Sequence, residues 1–180
     1  MPKQGWEGAS LEVGTLENGN WNYEIVDSAR NAGWFTSMAV LPNGSPVVSY
    51  NAVFSQPVGS VKVAVRQPNR WEITDIDNNA IKHHVTVDSL GKIHVVYQKL
   101  TSAKGPIHDL MYATNSSGSW KRSKISNANS NEIIDSGYFP RIAVDSKGGV
   151  HVAYTINNDR LAYARKMSAE SDWEFYTILS

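Results

Sequence analysis

His94 and His151 each stand six residues after an aspartate, Asp88 and Asp145, at matching places in the chain. A carboxylate near an imidazole is a pairing suited to general acid–base work. The recurrence argues for something else. A catalytic pair is needed once, whereas a hydrogen bond that braces a turn is needed in every copy of a repeat, so both pairs read as structural. His83 and His84 are neighbours, and neighbours on a strand point to opposite faces, so they do not converge on a metal. No second cluster has ligand spacing, and neither metal nor cofactor is expected. Cysteine is absent, which removes disulfides, thiolate metal sites and a cysteine nucleophile. No catalytic residue is assigned.

The same histidines belong to a motif that occurs three times: Met38 to Tyr50, Val85 to Tyr97 and Ile142 to Tyr154. Each copy is a short apolar run, a four-residue turn closed by Gly44, Gly91 or Gly148, and a second run ending in Tyr. Asp88 and Asp145 suit the first position of a type I turn. The runs are short and β-branched, so they read as strands A (36–41, 83–88, 139–145) and B (46–51, 93–98, 150–155). A third run (C) follows at Val61, Leu110 and Leu161, and a fourth (D) opens at Trp71, Trp120 and Trp173. With Trp21 the tryptophans recur at steps of 50, 49 and 53 residues, a period typical of repeat architectures. Four antiparallel strands per repeat form a propeller blade. The expected fold is all-β, a β-propeller with four-stranded antiparallel blades in one domain over 1–180. Blades are placed at 34–77, 83–126 and 138–180, with an N-terminal half blade, a C–D hairpin, at 11–26.

The order Ala-Val-Asp-Ser-x-Gly-x-x-His-Val-x-Tyr, then Gly-Ser-Trp, resembles bacterial propeller repeats and is similar to sialidase-like and NHL-type propellers over residues 11–180. The first copy departs from it, with Leu41 at the turn Asp and Val47 at the strand His. A sialidase-like resemblance implies arginines gripping a carboxylate, a tyrosine nucleophile with a glutamate partner, and an acidic general acid. Arg30, Arg141, Arg160, Tyr138, Glu132 and Asp135 fall near the face in question, but only Arg141 stands at an inner-strand position.

That face is the one where the D–A loops (27–35, 77–83, 127–139) and B–C loops (51–60, 98–109, 156–160) emerge. Gly33-Trp34-Phe35 aligns with Gly137-Tyr138-Phe139, and the second copy lacks this aromatic pair. Trp34 and Tyr138 are candidates for stacking on sugar rings, while the two phenylalanines are expected to pack between blades. Ser37, His84 and Arg141 share one aligned position at the start of strand A, facing the axis, and vary where their surroundings repeat. Tyr50, Tyr97 and Tyr154 are expected to pack, and the polar residues after them, Asn51, Gln98 and Thr155, are expected to be exposed to a ligand.

Lys and Arg number 17 and Asp and Glu 17. This balance gives no electrostatic reason to expect nucleic acid or an anionic membrane as partner. No run approaches the length of a spanning helix. The chain reads as soluble, with its compartment unknown; if secreted or on the cell surface, its export signal lies outside this chain. Three blades and a hairpin do not close a ring, and they leave flat, apolar end faces. A homo-oligomer is expected, a dimer completing the ring. The functional expectation is a non-catalytic binding module for carbohydrate or protein. The alternatives are a sialidase-like glycoside hydrolase and a structural or partner-binding scaffold.

Overall fold

The computed structural model describes residues 10–29, 31–55, 58–101, 108–125, 136–156, 160–168 and 171–178. Its strands are β1 (Leu11–Glu17), β2 (Asn20–Asp27), β3 (Trp34–Val40), β4 (Pro46–Ser55), β5 (Val58–Gln67), β6 (Arg70–Val87), β7 (Ile93–Leu100), β8 (His108–Thr114), β9 (Lys121–Lys124), β10 (Ser136–Val144), β11 (Val150–Ile156), β12 (Arg160–Lys166) and β13 (Glu174–Thr177). Among the described residues there is no helix. The strands form one hairpin, β1–β2, and two antiparallel sheets, β3 to β9 and β10 to β13, each in chain order.

The turns are fixed locally. Asn18 and Gly19 both have positive φ, 50° and 80°, the signature of a two-residue hairpin turn whose twist matches its strands. In the A–B turns the N–H groups of Gly44, Gly91 and Gly148 donate to the carbonyls of Leu41, Asp88 and Asp145. Asp88 Oδ1 also accepts from the N–H groups of Leu90 and Lys92, and Asp145 Oδ1 from those of Lys147 and Gly149.

β6 is longer than expected. The sequence implies separate D and A strands, yet Arg70–Val87 is one strand serving two blades. It pairs with β5 through Ala80 and with β7 from Ala80 onward. The link between the blades is too short to leave the extended conformation, and the chain bends at Asn79 and Lys82, with φ of 53° and 48°. The seven-stranded sheet is therefore two blades sharing a strand.

Small and β-branched residues fill the space between neighbours. One cluster joins the hairpin to the first blade (Leu11, Val13, Val26 with Val48, Tyr50, Ala64). A second joins the first and second blades (Val47, Val61, Val63 with Val85, Val95, Tyr97). A third joins the second and third (Val96, Leu110, Tyr112 with Ile142, Val152, Ala164). Each fully buried Val or Leu contributes about 1.5–3 kcal/mol, so blade-on-blade packing is the main cohesive term.

Polar stitches set the blades in register. Tyr50 donates to the Asp27 carboxylate at 2.6 Å and Tyr97 to Asp77 at 2.9 Å, each reaching back to the preceding unit. On the inner strands, Ser37 Oγ accepts from the Val85 N–H at 3.2 Å and His84 Nδ1 from the Ile142 N–H at 3.4 Å, each reaching forward.

This is propeller architecture: three four-stranded blades and an outer hairpin. Its two end faces differ. Leu16, Trp21, Tyr23, Ile25, Met38 and Val40 are all exposed at the leading end, matching the apolar face expected. The trailing end is mixed, with Tyr163, exposed Ala153, Tyr176 and Ile178, and the Arg165–Glu174 ion pair at 2.8 Å.

Candidate functional site

A β-bulge recurs at the head of every inner strand. Register shifts fall between Trp34 and Ser37, Ile81 and His84, and Tyr138 and Arg141. Within each, an aligned residue is left-handed: Phe35 at φ 52°, Lys82 at 48° and Phe139 at 45°. Such a φ disfavours any side chain with a Cβ, costs on the order of 1–3 kcal/mol, and tends to be kept where the site uses it. Here it turns the side chain out of the layer between blades. Phe139 is 63% and Phe35 46% exposed, correcting the expectation that both pack between blades. Trp34 and Tyr138 take the half-buried positions instead.

The bulges bring the second and third blades together. Lys82 Nζ lies 3.7 Å from the Tyr138 ring centroid and 4.9 Å from that of Phe139, and His108 meets Tyr138 edge-on at 6.2 Å. The result is an aromatic pair from one blade held by an ammonium from its neighbour, with attraction on the order of 1 kcal/mol. The second copy lacks the aromatic pair because Lys82 occupies the Phe35 and Phe139 position. That substitution was visible in the alignment; the contact across the blades was not, because it depends on tertiary placement.

The inner-strand position behaves differently in each blade. Ser37 is spent on the Val85 N–H. His84 is half-buried, and burial, followed by the nearby Arg141 charge, holds its imidazole below the usual histidine range. Because its Nδ1 accepts from the Ile142 N–H, the neutral ring carries its proton on Nε2. Arg141 is exposed, and one guanidinium N–H donates to the Pro140 carbonyl at 2.9 Å.

The residues after the strand-B tyrosines are cross-strand partners of the strand-A heads: Asn51 of Trp34, Gln98 of Ile81 and Thr155 of Tyr138. Asn51 and Gln98 are wholly buried, not exposed as expected. The bulge opens the sheet here, and Asn51 fills the gap by donating to the Ser60 and Ala80 carbonyls at 3.0 and 2.7 Å. The Gln98 amide has no hydrogen-bond partner among the described residues. Thr155 is half-buried and donates to the Tyr138 carbonyl at 3.3 Å. Arg30, Glu132 and Asp135 lie outside the described residues.

The histidine–aspartate pairs sit at the opposite end, on the A–B turns. His94 Nε2 is 3.4 Å from Asp88 and His151 Nε2 3.1 Å from Asp145. Each Nδ1 lies 2.6 Å from a tyrosine hydroxyl on the next strand, Tyr112 or Tyr163. A carboxylate only accepts, so Nε2 carries the proton and Nδ1 takes that of the phenol. The chain of bonds ties turn, strand B and strand C together in two successive blades. Ser49 Oγ and His83 Nδ1 are 2.8 Å apart, but both residues are buried, and burial pushes the His83 pKa down to about 3.

No family model matches the chain, and no curated protein matches it. Solved structures do. A mutant of the Aleuria aurantia lectin, in complex with Fucα1-6GlcNAc, aligns with a TM-score of 0.64 at 16% identity over 96% of this chain and 54% of its own. An α-L-arabinanase from Penicillium chrysogenum, complexed with arabinobiose, aligns with a TM-score of 0.55 at 12% identity over 82% of this chain and 49% of its own. A fucose lectin from Kordia zhangzhouensis, in complex with methyl-fucoside, aligns with a TM-score of 0.50 at 12% identity over 81% of this chain and 99% of its own. The chain spans about half the length of the first two. At these identities the likeness is one of fold, and the fold is a β-propeller. Among the described residues no helix is long and apolar enough to cross a membrane.

Proposed function

We propose that this chain is a non-catalytic, lectin-like propeller module that binds carbohydrate at the head of its inner strands and works as a homo-oligomer, a dimer completing a ring. The observation that carries the binding reading is the exposed Phe139 ring beside Tyr138 and the Lys82 ammonium. A sugar offers an apolar C–H face and a rim of hydroxyls. An aromatic ring meets the first, and an ammonium, a guanidinium or an imidazole N–H meets the second. Arg141 and the His84 Nε2–H stand on the same strand heads. The sugars named with the structurally similar lectins and arabinanase support the same class of ligand. Titration of the intact protein with neutral mono- and disaccharides tests this; saturable binding that is weakened in Phe139→Ala is the expected result.

A hydrolase is the second reading, favoured by the likeness to the arabinanase. Turnover of a fluorogenic glycoside, lost in Arg141→Ala, would establish it over the binding module.

A further inference from the structure

Three of the repeat tryptophans lie against the unit before their own. Trp71 packs on the hairpin cluster, Trp120 on the cluster between the first and second blades, and Trp173 on that between the second and third. The last contact is the most detailed. Trp173 meets Tyr112 of the second blade edge-on, with centroids 5.5 Å apart and planes at 84°. Lys166 lies over both rings, at 5.3 and 5.2 Å.

The third blade presents the same surface again. His94 stacks with Tyr112 at 6.0 Å and 25°, and His151 with Tyr163 at 6.0 Å and 19°. Both pairs share the 2.6 Å hydrogen bond and the aspartate behind it. Tyr112 is buried beneath Trp173, whereas Tyr163 sits half-exposed between Ala153 and Tyr176 on the sheet. At the other end Trp21, aligned with Trp173, is 60% exposed on the outer face of the hairpin, opposite Leu16.

We propose that Trp21 of one copy docks on Tyr163 of a second copy, in the place Trp173 takes on Tyr112, so that copies join head to tail. This rests on the self-association put forward above and is independent of the glycan reading. The occupant is a second copy because the hairpin is built as the outer half of a blade, the half that supplies the covering tryptophan. The inner-strand stitch agrees. Ser37 and His84 each offer an acceptor to the next inner strand, while the third position is Arg141, which has no acceptor. Among the described residues the hairpin has no inner strand whose N–H would need one. A head-to-tail contact uses two different surfaces and closes into a ring where the rotation permits.

The test is the mass of the intact chain by light scattering at tens of micromolar. Wild type is expected at a multiple of 19.9 kDa, and Trp21→Glu and Tyr163→Glu are each expected to run as a monomer. Mixed in equal amounts, the two variants retain one good surface each and are expected to form a one-to-one complex of twice the monomer mass. Ala153→Arg, at an exposed site beside Tyr163, replaces Tyr163→Glu if that variant fails to fold. An assembled wild type whose mass Trp21→Glu leaves unchanged overturns the contact while self-association stands. A monomeric wild type overturns both. Association in Tyr163→Glu alone that Trp21→Glu abolishes overturns the head-to-tail arrangement in favour of a symmetric hairpin contact.

Discussion

The Tyr50 hydroxyl donates to the Asp27 carboxylate with 2.6 Å between the two oxygens, joining the first blade to the hairpin before it. Tyr97 and Asp77 repeat the contact one unit on, where Lys99 Nζ adds a 2.7 Å bond to the same carboxylate. Tyr50 is fully buried and Asp27 nearly so. Removing the hydroxyl leaves a poorly solvated carboxylate without its best donor.

Tyr50→Phe is therefore expected to cost about 1–3 kcal/mol in denaturant unfolding. A double-mutant cycle with Asp27→Ala should show coupling of at least about 0.5 kcal/mol. Additive effects would mean that the contact does not tie the hairpin down.

Acid should weaken the fold in two windows. Burial holds His83, His84 and His94 below the usual histidine range, His83 at about 3. Unfolded, they take up protons near pH 6.5, so the stability tied to their neutral forms is complete above that pH and falls as pH drops toward the folded values. Hydrogen bonds from His151 and Arg165 respectively hold Asp145 and Glu174 below the usual carboxylate range, and their share is lost only at lower pH. The urea midpoint should thus already decline between about pH 6.5 and 5, and His83→Gln should flatten that decline. A midpoint constant over this interval would contradict the neutral, buried histidines.

How much of this was legible in the sequence depends on how far each contact reaches. Strand positions were legible because apolar runs, Asp-to-Gly turns and tryptophans repeat locally. The structural role of His94 and His151 followed from repetition alone. Tyr50 and Tyr97 read as packing residues, but their partners Asp27 and Asp77 read as loop residues, because a hydrogen bond to the preceding unit leaves no local pattern. Asn51 and Gln98 read as exposed because polar residues after a strand usually are; the bulge made them interior. Lys82 carries no local signal, because the ring it lies over, Tyr138, is contributed by the next blade.

Packing makes a sharper contrast. Leu110 is wholly buried between the second and third blades, and Leu90 is 81% exposed on a turn. Leu110→Ala is expected to cost about 2–5 kcal/mol, and Leu90→Ala less than about 0.5 kcal/mol. Equal effects on the unfolding midpoint would contradict the placement of this core.

The strained bulge should separate stability from binding. Phe139 holds φ at 45°, which glycine adopts without penalty. Phe139→Gly is expected to raise the melting temperature slightly, by the equivalent of about 1 kcal/mol, while weakening sugar binding. A loss of stability would mean that the phenyl ring packs structurally.

The central claim is tested most directly by isothermal titration of the intact protein with a panel of neutral saccharides, fucosides and arabinosides included, in parallel for wild type and Phe139→Ala. Saturable binding by wild type, weakened about tenfold or more by loss of the stacking ring (~1.4 kcal/mol), with an unchanged melting temperature, is the predicted result. Flat titrations across the panel, or affinity unchanged in Phe139→Ala, would contradict it.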